Sequence, residues 1–88
     1  MKPGTQIAYL PDHARGDLTH PDVEFGFVTS QHPSQPAHFC RYWFKHLRGR
    51  LRTITNSELT PDANLIEHES YPPFVVRAEL LALEKGWE

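Results

Sequence analysis

The sequence predicts a mainly β domain: a small barrel of about five strands with a C-terminal amphipathic α-helix packed on it. Three observations carry that prediction. Residues 24–30 (Glu-Phe-Gly-Phe-Val-Thr-Ser) set aromatic and β-branched side chains around one glycine, a composition that fits a pleated, half-buried surface. A second aromatic run, residues 39–44 (Phe-Cys-Arg-Tyr-Trp-Phe), follows a loop rich in Ser, Gln, Pro and His, as the next strand of a meander would. From Phe74 onward, Val76, Leu80, Leu83 and Trp87 recur at spacings of four, three and four, the stripe of an amphipathic helix.

Taken in order, the first strand is residues 6–10, opened by Pro3-Gly4 and closed by Pro11-Asp12, with Ile7 and Tyr9 on one face. Residues 11–22 have no periodicity and carry Pro, Asp, His and Gly, so they are expected to form a long loop. Strand two is residues 24–30, where the lone Gly26 marks a bulge or a close backbone approach. Residues 31–37 turn the chain, because each proline removes a ladder donor. In strand three, Cys40, Tyr42 and Phe44 are assigned to the interior, because the opposite set of Phe39, Arg41 and Trp43 contains an arginine. Residues 50–54 are the expected fourth strand, residues 56–61 a capped helical turn stopped before Pro61, and residues 65–68 a short fifth strand. The helix should run from 74 to 85, with Pro72-Pro73 at its entry and Gly86 in the left-handed position past its end.

Strands two and three are apolar on both faces. One face fills the interior, so the other must be covered, and the helix offers the matching stripe. The whole chain, 1–88, is thus expected to be one domain: barrel from 3 to 68, helix from 72 to 88.

Length and composition bound the function. At 88 residues the core is small and single. A hydrophobic share of 39% with eleven acids against nine bases describes an ordinary globular domain rather than a disordered tail. No apolar run approaches the roughly 20 residues that span a bilayer, and the first residues lack the apolar core of a secretory signal, so a cytoplasmic, membrane-free protein is expected. Cys40 is alone and sits in an apolar strand, which makes it a buried thiol. Charge is segregated: residues 41–52 carry five bases and no acid, whereas residues 53–88 carry seven acids and only Arg77 and Lys85.

Residues 4–11 (Gly-Thr-Gln-Ile-Ala-Tyr-Leu-Pro), 20–28 (His-Pro-Asp-Val-Glu-Phe-Gly-Phe-Val) and Arg41-Tyr42 together resemble the pattern of small SH3-like barrel proteins. In these a glycine opens strand one, a long loop follows, and a Gly-x-Val strand pairs with an aromatic one. The pattern is most similar to short uncharacterised proteins of phages and bacterial mobile elements, and it covers residues 3–68. The resemblance implies the barrel. It implies no activity and no catalytic residue, since such barrels serve many unrelated roles.

Three constellations could carry function. The first is an aromatic contact surface for a protein partner, made by Tyr9, Phe27 and Trp43 with Arg41 as a polar anchor, because aromatics and Arg dominate interface energetics. The second is the basic and aromatic segment 41–52, in which Arg41, Lys45, Arg48, Arg50 and Arg52 could neutralise phosphates while an exposed ring stacks on a base. The net charge of −2 weighs against it, and the same arginines could simply solvate a hairpin. The third is His20, Asp22 and Glu24, which alternate; in an extended segment all three project to one side and could hold a divalent metal, with Asp12 and His13 approaching across the loop. Pro21 argues instead for a turn there, with Asp22 bonding backbone amides. No nucleophile elbow, phosphate loop or zinc motif appears. The expectation is a non-enzymatic, cofactor-free interaction module, monomeric or homodimeric, with nucleic-acid binding as the alternative.

Overall fold

The computed structural model describes residues 1–43 and 58–86. Five strands form one antiparallel sheet: β1 (Gln6–Tyr9), β2 (Glu24–Gln31), β3 (Ala37–Tyr42), β4 (Glu58–Pro61) and β5 (Leu65–Glu67), followed by helix α1 (Pro73–Lys85). The order across the sheet is β4-β3-β2-β1-β5, so a four-strand meander is completed by a last strand that returns to the first. Among the described residues the sheet is open, with β4 and β5 as its edges.

It is nevertheless curled. Pro61 ends β4 opposite Ala37, and Leu65 begins β5 opposite Tyr9, with only the 3₁₀ turn Asp62–Asn64 between them. A flat sheet would place its edge strands about 19 Å apart, four steps of roughly 4.8 Å. Four residues reach about 14 Å when fully extended, and less through a 3₁₀ turn. The edges must therefore bend toward each other. Asn64 fixes the bend, donating from its side chain to the Leu10 carbonyl (2.9 Å) and accepting at its own carbonyl from the Leu10 N–H (2.8 Å).

The period of two sorts the strands into two buried faces. On the concave face Ile7, Val28, Cys40, Tyr42 and Leu65 form one cluster, with Tyr9 against it. On the other face Phe27 and Trp43 pack with Val75 and Val76 of α1, joined by Phe25, Tyr71 and Leu80. The expected cover of the second face by the helix is therefore present. A third cluster, Ala8, Ala14 and Val23, pins the 11–22 loop to the sheet. Gly26 marks a close approach: a β-carbon there would lie 1.9 Å from the Arg41 carbonyl oxygen. The ladder irregularity falls further along, between Val28 and Ser30. Gly86 takes the left-handed cap at φ 69°.

Two expectations are corrected. Residues 58–61 are a strand, not part of a helical turn. Pairing with β3 and the buried Tyr42–Thr60 hydroxyl bond (2.6 Å) override the local capping signal. Arg41 is 1% exposed, because its face of β3 lies beside Phe27 on the covered side of the sheet and not in solvent. In α1 the expected stripe faces the sheet, with Val76 buried and Leu80 packed beside it, while Phe74 at the helix start is 62% exposed. The expected mainly β architecture with one C-terminal helix is present, and among the described residues its five strands form a curled sheet that is not closed. The strand expected at 50–54, along with Phe44 and Trp87, lies outside the described residues.

Candidate functional site

The site is built where α1 meets the start of β1. Gln6 is the hinge pin. It faces away from Ile7, is buried, and holds the segment leading into the helix. Its Oε1 accepts from the Ser70 and Tyr71 N–H groups (3.0 and 2.9 Å), and its Nε2 donates to the Tyr71 carbonyl (2.5 Å). Pro73 then occupies the first helical turn, where a missing N–H costs nothing. Just before Gln6, Gly4 adopts φ +90°, donates its N–H to the Val28 carbonyl (2.8 Å), and sits beneath the helix. A β-carbon on Gly4 would lie 3.1 Å from Leu80 Cδ1 and 3.9 Å from Val76 Cγ1.

These contacts leave a cleft of about 510 Å³ between the strand ends and the helix. Pro3, Gly4, Val76 and Leu80 give it an apolar floor, while Glu67, Glu69 and Arg77, all exposed, charge its rim. Such a lining takes an apolar group and orients it with a few polar contacts. A smaller recess of about 270 Å³ opens at the end of the concave face, among Tyr9, Glu24, Tyr42, Glu58 and Thr60. There burial drives the Tyr42 hydroxyl above its ordinary pKa, with the Glu24 charge adding to the effect. Burial likewise pushes the Cys40 thiol up to about 11, which leaves it a protonated core group rather than a nucleophile.

The expected contact set does not form a surface. Tyr9 is half-buried at the recess, but Phe27 (0% exposed), Arg41 and Trp43 (6%) lie in the interior. The helix stripe that covers the second face withdraws them from solvent. For the nucleic-acid set, Arg41 is buried, and Lys45, Arg48, Arg50 and Arg52 lie outside the described residues.

Nor does the expected metal set assemble as drawn. The Val23 N–H bonds the His20 carbonyl (3.1 Å), closing a turn through Pro21 and Asp22, so the segment is not extended and the alternation fails. Glu24 goes to the Tyr9 recess. His13 takes its place, with Nε2 2.6 Å from Asp22 Oδ2 and its ring 5.1 Å from that of His20. Among the described residues, His13, His20 and Asp22 are the ones whose donor atoms could share a metal ion.

Sequence reasoning missed Gln6 and the cleft. The available signal was a buried-strand glutamine facing away from Ile7, next to a glycine that opens the strand. No family model, curated protein or solved structure matches the chain.

Proposed function

We propose that this chain is a non-enzymatic, SH3-like interaction module that holds a short peptide segment of a protein partner in the cleft between α1 and the start of β1. One observation carries the reading: a preformed apolar floor, fixed by the Gln6 latch and rimmed by separate charges of both signs. A hydrophobic side chain of the partner would rest on Gly4, Val76 and Leu80, and a neighbouring Lys or Arg would face Glu67 and Glu69. The barrel relationship is supported by the meander with a returning last strand and by the curl that the short β4–β5 link imposes. The partner contact is thereby assigned to the cleft and not to the buried aromatics.

The test is panning of a displayed peptide library against the immobilised full chain. Selected peptides should pair an apolar residue with a basic one. Reversing the rim charges with Glu67→Lys and Glu69→Lys together should weaken them at least about tenfold, a loss within reach of two partly desolvated charge contacts. Failure to enrich any sequence, or binding indifferent to the charge reversal, would contradict the proposal.

A further inference from the structure

We propose that His13, His20 and Asp22 form a binding site for a first-row divalent transition-metal ion, with Zn²⁺ the ion that best fits the donors. The site shares no residue with the cleft and stands independently of the peptide reading. Two imidazoles and one carboxylate are the borderline donor set that zinc and its neighbours prefer, whereas Ca²⁺ and Mg²⁺ take oxygen ligands.

The three donor atoms lie within 4.8 Å of one another. In a tetrahedral site with bonds of about 2.0–2.1 Å, donors are roughly 3.3 Å apart. His13 Nε2 and Asp22 Oδ2, now 2.6 Å apart, would open by several tenths of an ångström as the ion replaces their hydrogen bond, while the widest pair closes. The side chains have room for this, being 61% and 59% exposed. Their backbones do not drift, because each is adjacent to an anchored residue. Ala14 (3% exposed) follows His13, and Val23 (2%) follows Asp22, both packed on Ala8. The intervening segment is fixed as well: Asp17 accepts from the Thr19 N–H and hydroxyl (2.9 and 2.7 Å). Donor heads on a rigid frame cost little entropy to gather.

One rearrangement is required. The Asp22 N–H donates to His20 Nδ1 (3.0 Å), so the neutral ring carries its proton on Nε2. Ligation through Nδ1 takes its lone pair from the Asp22 N–H, and ligation through Nε2 moves the ring proton to Nδ1; by either route the bond from Asp22 is given up. With three protein donors the remaining position is open to water or to a partner's side chain.

The test is calorimetric titration of the chelator-stripped full chain with Zn²⁺, repeated on His13→Gln, His20→Gln, Asp22→Asn and, as a control imidazole elsewhere, His68→Gln. One equivalent should bind, and each of the first three substitutions should weaken it at least about tenfold while His68→Gln leaves it unchanged. Titration with Co²⁺ should give the intense visible bands of a four-coordinate ion, lost in the same three variants. Absence of binding, an affinity that survives the three substitutions, or equal loss in the His68 control would overturn the proposal. Any of these would reduce the cluster to a surface ion pair.

Discussion

The two faces of the sheet are buried by different means. The concave face is closed by the sheet's own curl, which brings Ile7, Val28, Cys40, Tyr42 and Leu65 together. The opposite face depends on one helix at the far end of the chain, whose Val75 and Val76 cover Phe27 and Trp43. The first is built from contacts that the strands make as they pair. The second comes from an element outside the sheet, held at its entry by Gln6. The cleft belongs to the second, because a covering helix leaves a seam where it meets the sheet and a closed core does not.

Removing the cover should have the largest effect. A chain lacking residues 72–88 exposes two large aromatics and is expected to aggregate or to lose its cooperative melting transition. A truncated chain that stays monomeric and melts cooperatively would make the faces independent. Next comes the seam between β2 and β3, which both faces share. Gly26→Ala drives a β-carbon into the Arg41 backbone, which cannot yield as a side chain could, and should cost about 3 kcal/mol or more in urea unfolding. Separate probes of the faces follow. Ile7→Ala, on the concave side, should cost about 2–5 kcal/mol through its cavity. Gln6→Ala, on the helix side, should cost about 2–3 kcal/mol by orphaning the amides and carbonyl it serves. Amide exchange should separate the two: the Gln6 change releases residues 70–80 selectively, while the Ile7 change loosens all strands.

The smallest effect is one of pH and belongs to the concave face alone. Cys40 titrates near 11 when folded and near 9.0 ordinarily, so folding favours its protonated form. That contribution is complete below about pH 9 and is lost as pH rises toward 11, a change on the order of 2 kcal/mol. Tyr42, also raised, acts in the same direction. Stability should therefore fall above pH 9. Cys40→Ala should flatten part of that fall, and a thiol reagent at neutral pH should label Cys40 only once the chain is unfolded.

The contrast between the faces also explains what the sequence discloses. Strand β2 and helix α1 are legible because each has a sustained period, two for the strand and three to four for the helix. The covered second face is legible as well, since an apolar strand on both sides demands a partner. The consequence for Trp43 and Phe27 is easily overlooked: the stripe that predicts the cover also removes them as contact residues. Strand β4 is not legible, because residues 56–61 carry local capping signals in the sequence and Glu58–Pro61 are extended through pairing with β3. The cleft depends on residues from positions 3 to 80, brought together by Gln6 hydrogen bonds that span more than sixty residues of chain. No local pattern encodes such a meeting. His13 is a middle case. It is within reach of Asp22 from loop length alone, but its substitution for Glu24 depends on the Pro21 turn.

The seam beside the helix is the proposed working surface. It is tested most directly by following the backbone amide resonances of the full chain as a selected peptide is added. Shifts should concentrate at Gly4, Thr5, Glu69, Val76 and Leu80, with Ile7 and Cys40 unmoved. Shifts gathered instead around Tyr9, Leu59 and Thr60 would move the binding surface to the concave recess and contradict it.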